Sequence, residues 1–426
     1  MNKQANLFSS IAAALQQVFL TLALLIAGSI AIAQPAKDAA KEEPKETMRV
    51  EVGKPLQAAQ ELITAKKYPE ALLKVREADA ITTKTPYEQF FIDRMFAAVG
   101  LGMGDNALAA KSLEAVILSG KLDGVEKLRF LEALTSTNYR MKEYTKAAQW
   151  GTKAMQETGV SPDTRLTVAH SLYLTNDYAG AARELATLIA QTEAAGKVPT
   201  EDQLRILASS KEKQSDMAGY LAGLEKLLAL YPNEKYWADA IYRVESKKTF
   251  ADRFTLDAYR LKFALGLVKE PNELTDMAEL AMSGGYAVEA QKVLDFGYSN
   301  NILGKEGNVA QQKKLRDTVA KEIAEDKKRA PVADPAKGKT GQALINNGLD
   351  LVLKGDADKG LAMMAQGLAA TNLKRPDDEK LRFGIAHVFA AQNTKAVETF
   401  KTVQGADGAA DLARLWTIYA NRKPAG

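Results

Sequence analysis

The chain has 426 residues, of which 46% are hydrophobic and 26% are charged, a composition typical of a folded protein. Its 57 basic and 53 acidic side chains leave a net charge of +4, which is too balanced to predict binding to nucleic acid. The absence of cysteine excludes disulfides, thiolate catalysis and cysteine-ligated metals, and the two histidines, His170 and His387, are too few for a histidine-rich metal site.

Residues 1–33 have the pattern of an export signal. Lys3 is the only charged residue in this stretch, Val18–Ile32 is apolar and helix-prone, and Ala31–Ala33 fits a cleavage site of the small-x-small type. The alternative is an uncleaved membrane anchor, because Ile11–Ala33 is almost long enough to span a bilayer. Both interpretations place the rest of the chain outside the cytoplasm, in the periplasm or secreted, and cleavage would leave no membrane span.

Residues 34–51 are expected to form a disordered tether. The stretch begins QPAKDAAKEEPKET, which contains no large apolar side chain. Such a segment cannot bury enough surface to offset the entropy lost on ordering, so no fold is predicted for it.

Helical hairpins are predicted over residues 52–304. Segments with apolar residues at helical spacing begin near residues 52, 90, 128, 162 and 201, so their starts lie 38, 38, 34 and 39 residues apart. Each segment is long enough for two helices joined by a turn. One such unit cannot bury enough apolar surface to fold alone, and stacking on its neighbours is expected to stabilise it.

Two consecutive segments carry the same turn sequence. Lys142-Glu143-Tyr144 is followed by Ala147, and Asn176-Asp177-Tyr178 is followed by Ala181, so the two tyrosines lie 34 residues apart. A period of this length, with aromatic and small residues at fixed offsets, indicates a stacked array of helical hairpins. The alanines are expected where the returning helix approaches closely.

The repeated turn motif resembles that of the tetratricopeptide repeat. That family has a small residue near position 8, glycine at 15, Asp-Tyr at 16–17, alanine at 20 and 27, and proline at 32. The first copy has Thr135, Lys142, Glu143-Tyr144, Ala147, Ala154 and Gly159 at these positions, and the second has Ala169, Asn176, Asp177-Tyr178, Ala181, Leu188 and Glu193. The resemblance implies an all-α, right-handed superhelical solenoid that binds another protein or a peptide.

The remaining chain continues the pattern with more variation. Residues 236–270 keep the apolar spacing but lack a clear turn, and a further hairpin turns at Gly284–Tyr286. A charged connecting helix is predicted over 305–330 and a Pro/Gly-bearing linker over 331–340. Residues 341–426 are predicted to hold C-terminal repeats of the same type, ending in a capping helix.

The sequence does not predict an enzyme or a cofactor site. Ala333–Thr340 (ADPAKGKT) fits a permissive phosphate-loop pattern, but the charged residues Glu325–Arg329 before it cannot form the buried strand that such a loop needs. No pair of carboxylates stands out for acid–base chemistry. His170 and His387 have no serine or acid at a telling spacing, so they are interpreted as structural residues.

The resemblance also implies a set of groove residues. In this repeat family the first helix of each hairpin lines the concave groove through positions 2, 5, 9, 12 and 13. Among the residues at these positions are Phe91, Arg94, Arg129, Tyr139, Arg140, Leu166, His170, Tyr173 and Arg205. Arginines beside tyrosines suit an acidic or C-terminal peptide, because guanidinium groups pair with carboxylates. The alternative is that these residues form ordinary solvated helix faces.

A second aromatic cluster leaves two interpretations open. Tyr231, Tyr236, Trp237 and Tyr242 could form a binding patch or a packed junction between repeats.

The functional hypothesis is an exported, non-enzymatic scaffold or adaptor that binds a protein or peptide, in cell-envelope assembly or transport, as the resemblance implies. The alternative is a module that binds cell-wall glycan or another polysaccharide. Neither the partner nor the oligomeric state follows from the sequence.

Overall fold

The computed structural model describes residues 47–328, 340–370 and 373–422. The predicted signal, most of the tether, the phosphate-loop-like segment up to residue 339 and nearly all of the linker lie outside these residues. Within the described ranges every regular element is helical, so the predicted all-α fold class is confirmed. No helix of these ranges has the length and apolarity needed to cross a membrane.

Packing divides the chain into two compact units, with the boundary between Tyr220 and Leu221. The helices of unit 1 are α1 Val50–Thr64, α2 Tyr68–Asp79, α3 Pro86–Met103, α4 Asn106–Leu118, α5 Gly124–Arg140, α6 Tyr144–Ala154, α7 Pro162–Leu174, α8 Tyr178–Ala194 and α9 Glu201–Lys213; the boundary falls within α10 Met217–Leu230. From α1 to α9, each helix packs against the next, and first helices of neighbouring hairpins also touch, as α5 and α7 do. Unit 1 is therefore a stack of helical hairpins.

Polar residues at the helix starts explain where several of these helices begin. Thr85 and Thr200 accept hydrogen bonds from the backbone N–H groups of Glu88 and Gln203, whose side chains bond back to the threonine N–H. This reciprocal capping satisfies two amides that the helix itself leaves without partners. Ser161 caps α7 through the Thr164 amide. The sequence thus encodes the first turn of α3, α7 and α9 locally.

Each hairpin of unit 1 turns at one residue with a positive φ angle. These residues are Lys66 (57°), Gly104 (73°), Lys142 (62°), Asn176 (65°) and Ser215 (60°). Counted from the predicted repeat starts at 52, 90, 128, 162 and 201, all five occupy position 15, where the family pattern has glycine. The predicted register is therefore confirmed, and lysine, asparagine or serine takes the left-handed conformation at four of the turns.

Replacing Lys142 by glycine should raise the free energy of unfolding by about 0.5–1 kcal/mol, because glycine has no Cβ to disfavour a left-handed turn. Urea denaturation of the full chain would measure the change. Lys146→Gly is the matched control, since Lys146 is exposed within α6 and glycine there should cost about 1 kcal/mol. Equal effects of the two glycines would contradict the assigned turn.

Small residues allow the helices of unit 1 to pack closely. Ala147 and Ala181 are fully buried, as the repeat pattern predicts. At Gly151 on α6, an added Cβ would lie 2.2 Å from Val168 Cγ2 on α7, so only glycine fits there. Glu132 on α5 also accepts a hydrogen bond of 2.7 Å from the Ser161 amide that precedes α7. Successive hairpins are thus held by both apolar packing and polar contacts.

Unit 2 contains the remaining helices. They are α11 Glu234–Glu245, α12 Thr255–Ala264, α13 Pro271–Ser283, α14 Ala287–Ser299, α15 Val309–Lys328, α16 Gly341–Leu353, α17 Ala357–Leu368, α18 Pro376–Phe389, α19 Asn393–Phe400 and α20 Ala409–Ala420, with a short 3-10 helix at Asp252–Phe254. The predicted hairpin at Gly284–Tyr286, the charged helix and the final helix are all present, and within the predicted C-terminal repeats α16 and α17 form a hairpin that turns at Gly355-Asp356. The irregular stretch 236–270 forms α11 and α12, joined through the 3-10 helix.

The C-terminal helix returns to the helices with which unit 2 begins. α20 packs against both α11 and α12, and α16 packs against α14. Val293, Ile345 and Met364 belong to one apolar core that spans both sides of the linker. The expected separation of a block at 341–426 therefore differs from the observed packing, in which these residues share a unit with 221–328.

Long-range ion pairs reinforce this arrangement. Arg253 donates to Asp378 (2.5 Å) and also contacts Asp407, and Lys247 pairs with Asp411 at 2.8 Å. These pairs join the beginning of unit 2 to helices that lie more than a hundred residues later in the chain. Burial of the Asp378 and Asp411 carboxylates strengthens their pairs, because screening by water is reduced.

Arg260 occupies the centre of a buried charge network. Its guanidinium forms a two-pronged contact with Glu289 on α14 (2.8 and 2.7 Å) and a third bond with Asp257 (2.7 Å). Arg382 on α18 lies 3.4 Å from the other oxygen of Asp257. Burial alone would lower the pKa of Arg260, but the carboxylates of Glu289 and Asp257 raise it, so the side chain stays charged.

Helices α16 and α17 approach each other through glycines. A Cβ added to Gly360 would lie 2.5 Å from the Gly348 carbonyl oxygen and 2.8 Å from the Val352 backbone nitrogen. One added to Gly367 would lie 2.6 Å from the Gly341 carbonyl oxygen. The two pairs are seven residues apart on each helix, so the helices touch backbone to backbone along about two turns.

Candidate functional site

Three first helices of unit 1 present aromatic and polar side chains on neighbouring positions. Tyr139 lies on α5, His170 and Tyr173 lie on α7, and Asp202, Arg205 and Ser209 lie on α9. α7 packs against both α5 and α9, so the three helices form one continuous surface. We call these six residues the tyrosine–histidine face.

The two tyrosines of this face are held in the same way by the turn that follows each helix. The Tyr139 and Tyr144 rings have centroids 5.4 Å apart, and the Tyr173 and Tyr178 rings are also 5.4 Å apart. The Tyr173 hydroxyl forms a 2.8 Å hydrogen bond with Ser209 Oγ on the next hairpin. Fixed aromatic rings lose little entropy on binding, which makes them effective contacts for a partner.

Charged and neutral groups alternate across the face. Asp202 Oδ1 accepts a 2.6 Å bond from Arg205, and Asp202 Oδ2 lies 3.3 Å from His170 Nε2. The Tyr139 and His170 rings are 6.4 Å apart. Burial lowers the pKa of His170 more than Asp202 raises it, so His170 is neutral at neutral pH. Burial likewise raises the pKa of Tyr139. At neutral pH the imidazole is therefore an uncharged ring of this face.

The other predicted groove residues differ in accessibility. Arg140 is exposed and donates to Thr137 Oγ1 at 3.2 Å. Arg129 and Leu166 are half-buried. Among the described residues, no carboxylate lies within ion-pair distance of Arg129. Arg140, Arg129 and Leu166 lie at or beside the tyrosine–histidine face.

The prediction that Phe91 and Arg94 line the groove is wrong. They are only 7% and 6% exposed, so they belong to the core of unit 1. Arg94 donates to Glu126 at 2.6 Å, and its guanidinium carbon lies 5.5 Å from the Phe130 ring centroid. Both contacts come from the neighbouring hairpin, which covers this part of α3. The apolar residues around Phe91 are the sequence feature that indicates this burial, because they leave α3 little polar surface.

The predicted groove does not include Ser209, although the structure places it on this face. It occupies position 9 of its repeat, the position that His170 holds in the preceding repeat. Applying the same offset to the segment that begins at residue 201 would have found it.

The second aromatic cluster separates into buried and exposed members. Trp237 is 2% exposed, and the Arg422 guanidinium carbon lies 5.8 Å from its ring centroid. Tyr242 is 63% exposed. The packed-junction interpretation therefore fits Trp237, whereas Tyr242 faces solvent.

The described residues contain no group of three or more histidine, aspartate or glutamate side chains arranged to hold a metal ion. The acids of the tyrosine–histidine face and of the Arg260 network lie in ion-pair contact with arginine.

Comparisons with known proteins find solved structures that share little sequence with this chain. No protein-family model and no curated protein matches the chain. Similar solved structures include the C-terminal part of a TPR repeat-containing protein from Cytophaga hutchinsonii, which is 16% identical over 68% of this chain and 98% of that chain, with a TM-score of 0.32. The apo form of RapI is 12% identical over 66% and 100%, with a TM-score of 0.31. The TPR domain of P58(IPK) is 12% identical over 87% and 97%, with a TM-score of 0.22. These likenesses carry no argument about function.

Proposed function

We propose that this protein is a non-enzymatic scaffold that holds a segment of a partner protein on the tyrosine–histidine face. The observation that carries the proposal is the alignment of Tyr139, His170 and Tyr173 across consecutive hairpins, each supported by contacts within the stack. Rigid rings beside hydrogen-bonding groups are the composition that protein interfaces favour at their energetic centres.

The charges around the face favour an acidic segment. Arg129 and Arg140 lie beside it, and within the face Asp202 is already paired with Arg205. A guanidinium group binds a carboxylate through two parallel hydrogen bonds, so arginine selects acidic partners better than a point charge does. The proposed ligand is therefore an extended acidic stretch or a chain terminus.

The proposed place of action is the cell envelope, in assembly or transport. The support is the signal-like pattern of residues 1–33, which would carry the helical units out of the cytoplasm. Export would bring the face into contact with other exported or membrane proteins.

Reversing the charges of the two arginines beside the face tests the proposal. The double variant Arg129→Glu, Arg140→Glu should weaken capture of the cellular partner about tenfold, because two favourable charge contacts become repulsive. The partner would first be identified by crosslinking from a photoreactive residue at position 139, followed by mass spectrometry. Its affinity would then be measured with purified proteins.

The matched control, Lys111→Glu with Lys146→Glu, reverses the charges of two exposed lysines on second helices of hairpins. It changes the net charge by the same amount. Equal loss of affinity in both double variants would show a general charge effect and contradict the proposal. Unchanged affinity in the arginine variant would place the binding surface elsewhere.

A further inference from the structure

Unit 2 contains a half-enclosed cavity of about 290 Å³ where α12, α13, α14, α16 and α18 meet. Most of its wall is apolar, and Phe263, Met277, Val293, Leu353 and Phe389 contribute to it. An apolar cavity of about 150 Å³ already binds benzene, so this space fits an apolar body roughly twice that size.

The cavity wall is held in place without a ligand. The Phe263 and Phe296 rings meet edge to face with centroids 5.1 Å apart, and the Phe389 and Trp416 rings do the same at 6.2 Å. Phe389 nevertheless remains 38% exposed, so apolar surface faces water at this site. A preformed, poorly covered apolar space favours entry of an apolar group, because little ordering is needed on binding.

The polar part of the cavity contains two basic side chains, Arg260 and Lys292. Arg260 is buried and fully engaged by Glu289 and Asp257. Lys292 is exposed, and its Nζ donates to the Leu353 carbonyl oxygen at 2.5 Å. Within the described ranges, no carboxylate lies at ion-pair distance from Lys292. A carboxylate beside it would gain a charge-assisted hydrogen bond.

We propose that this cavity binds a small amphiphile with an apolar body of about ten carbons and a single carboxylate, which pairs with Lys292. The apolar body lies against Phe263, Val293 and Phe389, and the carboxylate stays at the solvent side beside the lysine. A single side chain of a partner protein would leave part of the 290 Å³ empty, whereas a medium-chain acyl or aryl carboxylate fills it. The site is separate from the tyrosine–histidine face and does not depend on the function proposed for it.

Isothermal titration calorimetry of the full chain with decanoate and with decanol tests the assignment. We expect one saturable site for decanoate and weaker binding of decanol, because only decanoate can pair with Lys292. Lys292→Met should weaken decanoate about five- to tenfold and leave decanol nearly unchanged, since it removes the charge but keeps the apolar stem. Lys321→Met, on the exposed side of α15, is the matched control and should alter neither ligand.

A second variant tests the cavity itself. Ala264 lines the space, and Ala264→Phe should fill it and abolish saturable binding of both probes. Thermal melting of each variant would verify that it folds. Saturable decanoate binding that survives Ala264→Phe, equal affinities for acid and alcohol, or the absence of saturable binding to the unmodified chain would each overturn the proposal.

Discussion

Replacing Arg260 by methionine should lower the free energy of unfolding by about 3–5 kcal/mol, because it leaves buried carboxylates without their partner. The guanidinium makes three short contacts, two with Glu289 and one with Asp257, and all three side chains are almost completely buried. Arg382 lies 3.4 Å from Asp257 but does not reach Glu289, which would be the stranded charge. Urea denaturation monitored by circular dichroism would measure the loss.

The pH dependence of this loss distinguishes a stranded charge from lost packing. In Arg260→Met, burial without a cation would raise the pKa of Glu289 above its value in the unfolded chain. A raised carboxyl pKa means that the folded state binds the proton more tightly, so the deficit should shrink as pH falls from 7 towards 4.

Arg316→Met serves as the control for the Arg260 variant. Arg316 is half-exposed, its guanidinium lies over the Tyr298 ring and 3.7 Å from Asp295, and it should contribute less than about 1 kcal/mol. A pH-independent deficit in Arg260→Met, or one no larger than that of Arg316→Met, would show that the network does not stabilise the fold as described.

Gly360→Ala should destabilise unit 2 by about 3 kcal/mol. The new methyl group would meet the Gly348 carbonyl oxygen at 2.5 Å and the Val352 nitrogen at 2.8 Å. Both are backbone atoms within a helix, so neither can move away without separating α16 from α17. The measurement is the denaturation midpoint of unit 2, followed by hydrogen exchange of its amides.

Gly53→Ala is the matched control. Gly53 lies inside α1, and a Cβ there would have only an ordinary contact of 3.6 Å with Met48 Sδ. Alanine should therefore stabilise α1 by about 0.5–1 kcal/mol, because it loses less backbone entropy on folding. If both alanines changed stability in the same direction, the close approach of α16 and α17 would be refuted.

The helices and turns of this protein could be predicted because their causes are local. Six residues hold the left-handed turn at Lys142, Tyr144 and the buried Ala147. The repeated sequence motif therefore contains all three. The placement of Tyr139, His170 and Tyr173 on one face follows from the same register. Periodicity predicted the hairpins, and the family's groove positions, applied in that register, predicted the shared face.

The burial of Phe91 and Arg94 could not be predicted in the same way. Their environment depends on Glu126 and Phe130, which a different hairpin contributes. Neither the closure of unit 2 by α20 nor the pairing of Arg253 with Asp378, 125 residues away, has a signature in any short window. These features depend on three-dimensional packing, which a repeat pattern specifies only between neighbours.

The return of α20 to α11 and α12 has a consequence for the order of events during synthesis. Each hairpin of unit 1 can pack as soon as the next one has been made, because its partners are adjacent in the chain. Lys247 cannot pair with Asp411 until Asp411 has been synthesised, 164 residues later. At a synthesis rate of about 5–20 residues per second, this is a delay of roughly 10–30 seconds. Throughout that interval the faces of α11 and α12 that α20 covers are open to solvent, and a nascent chain needs protection there until its last residues emerge.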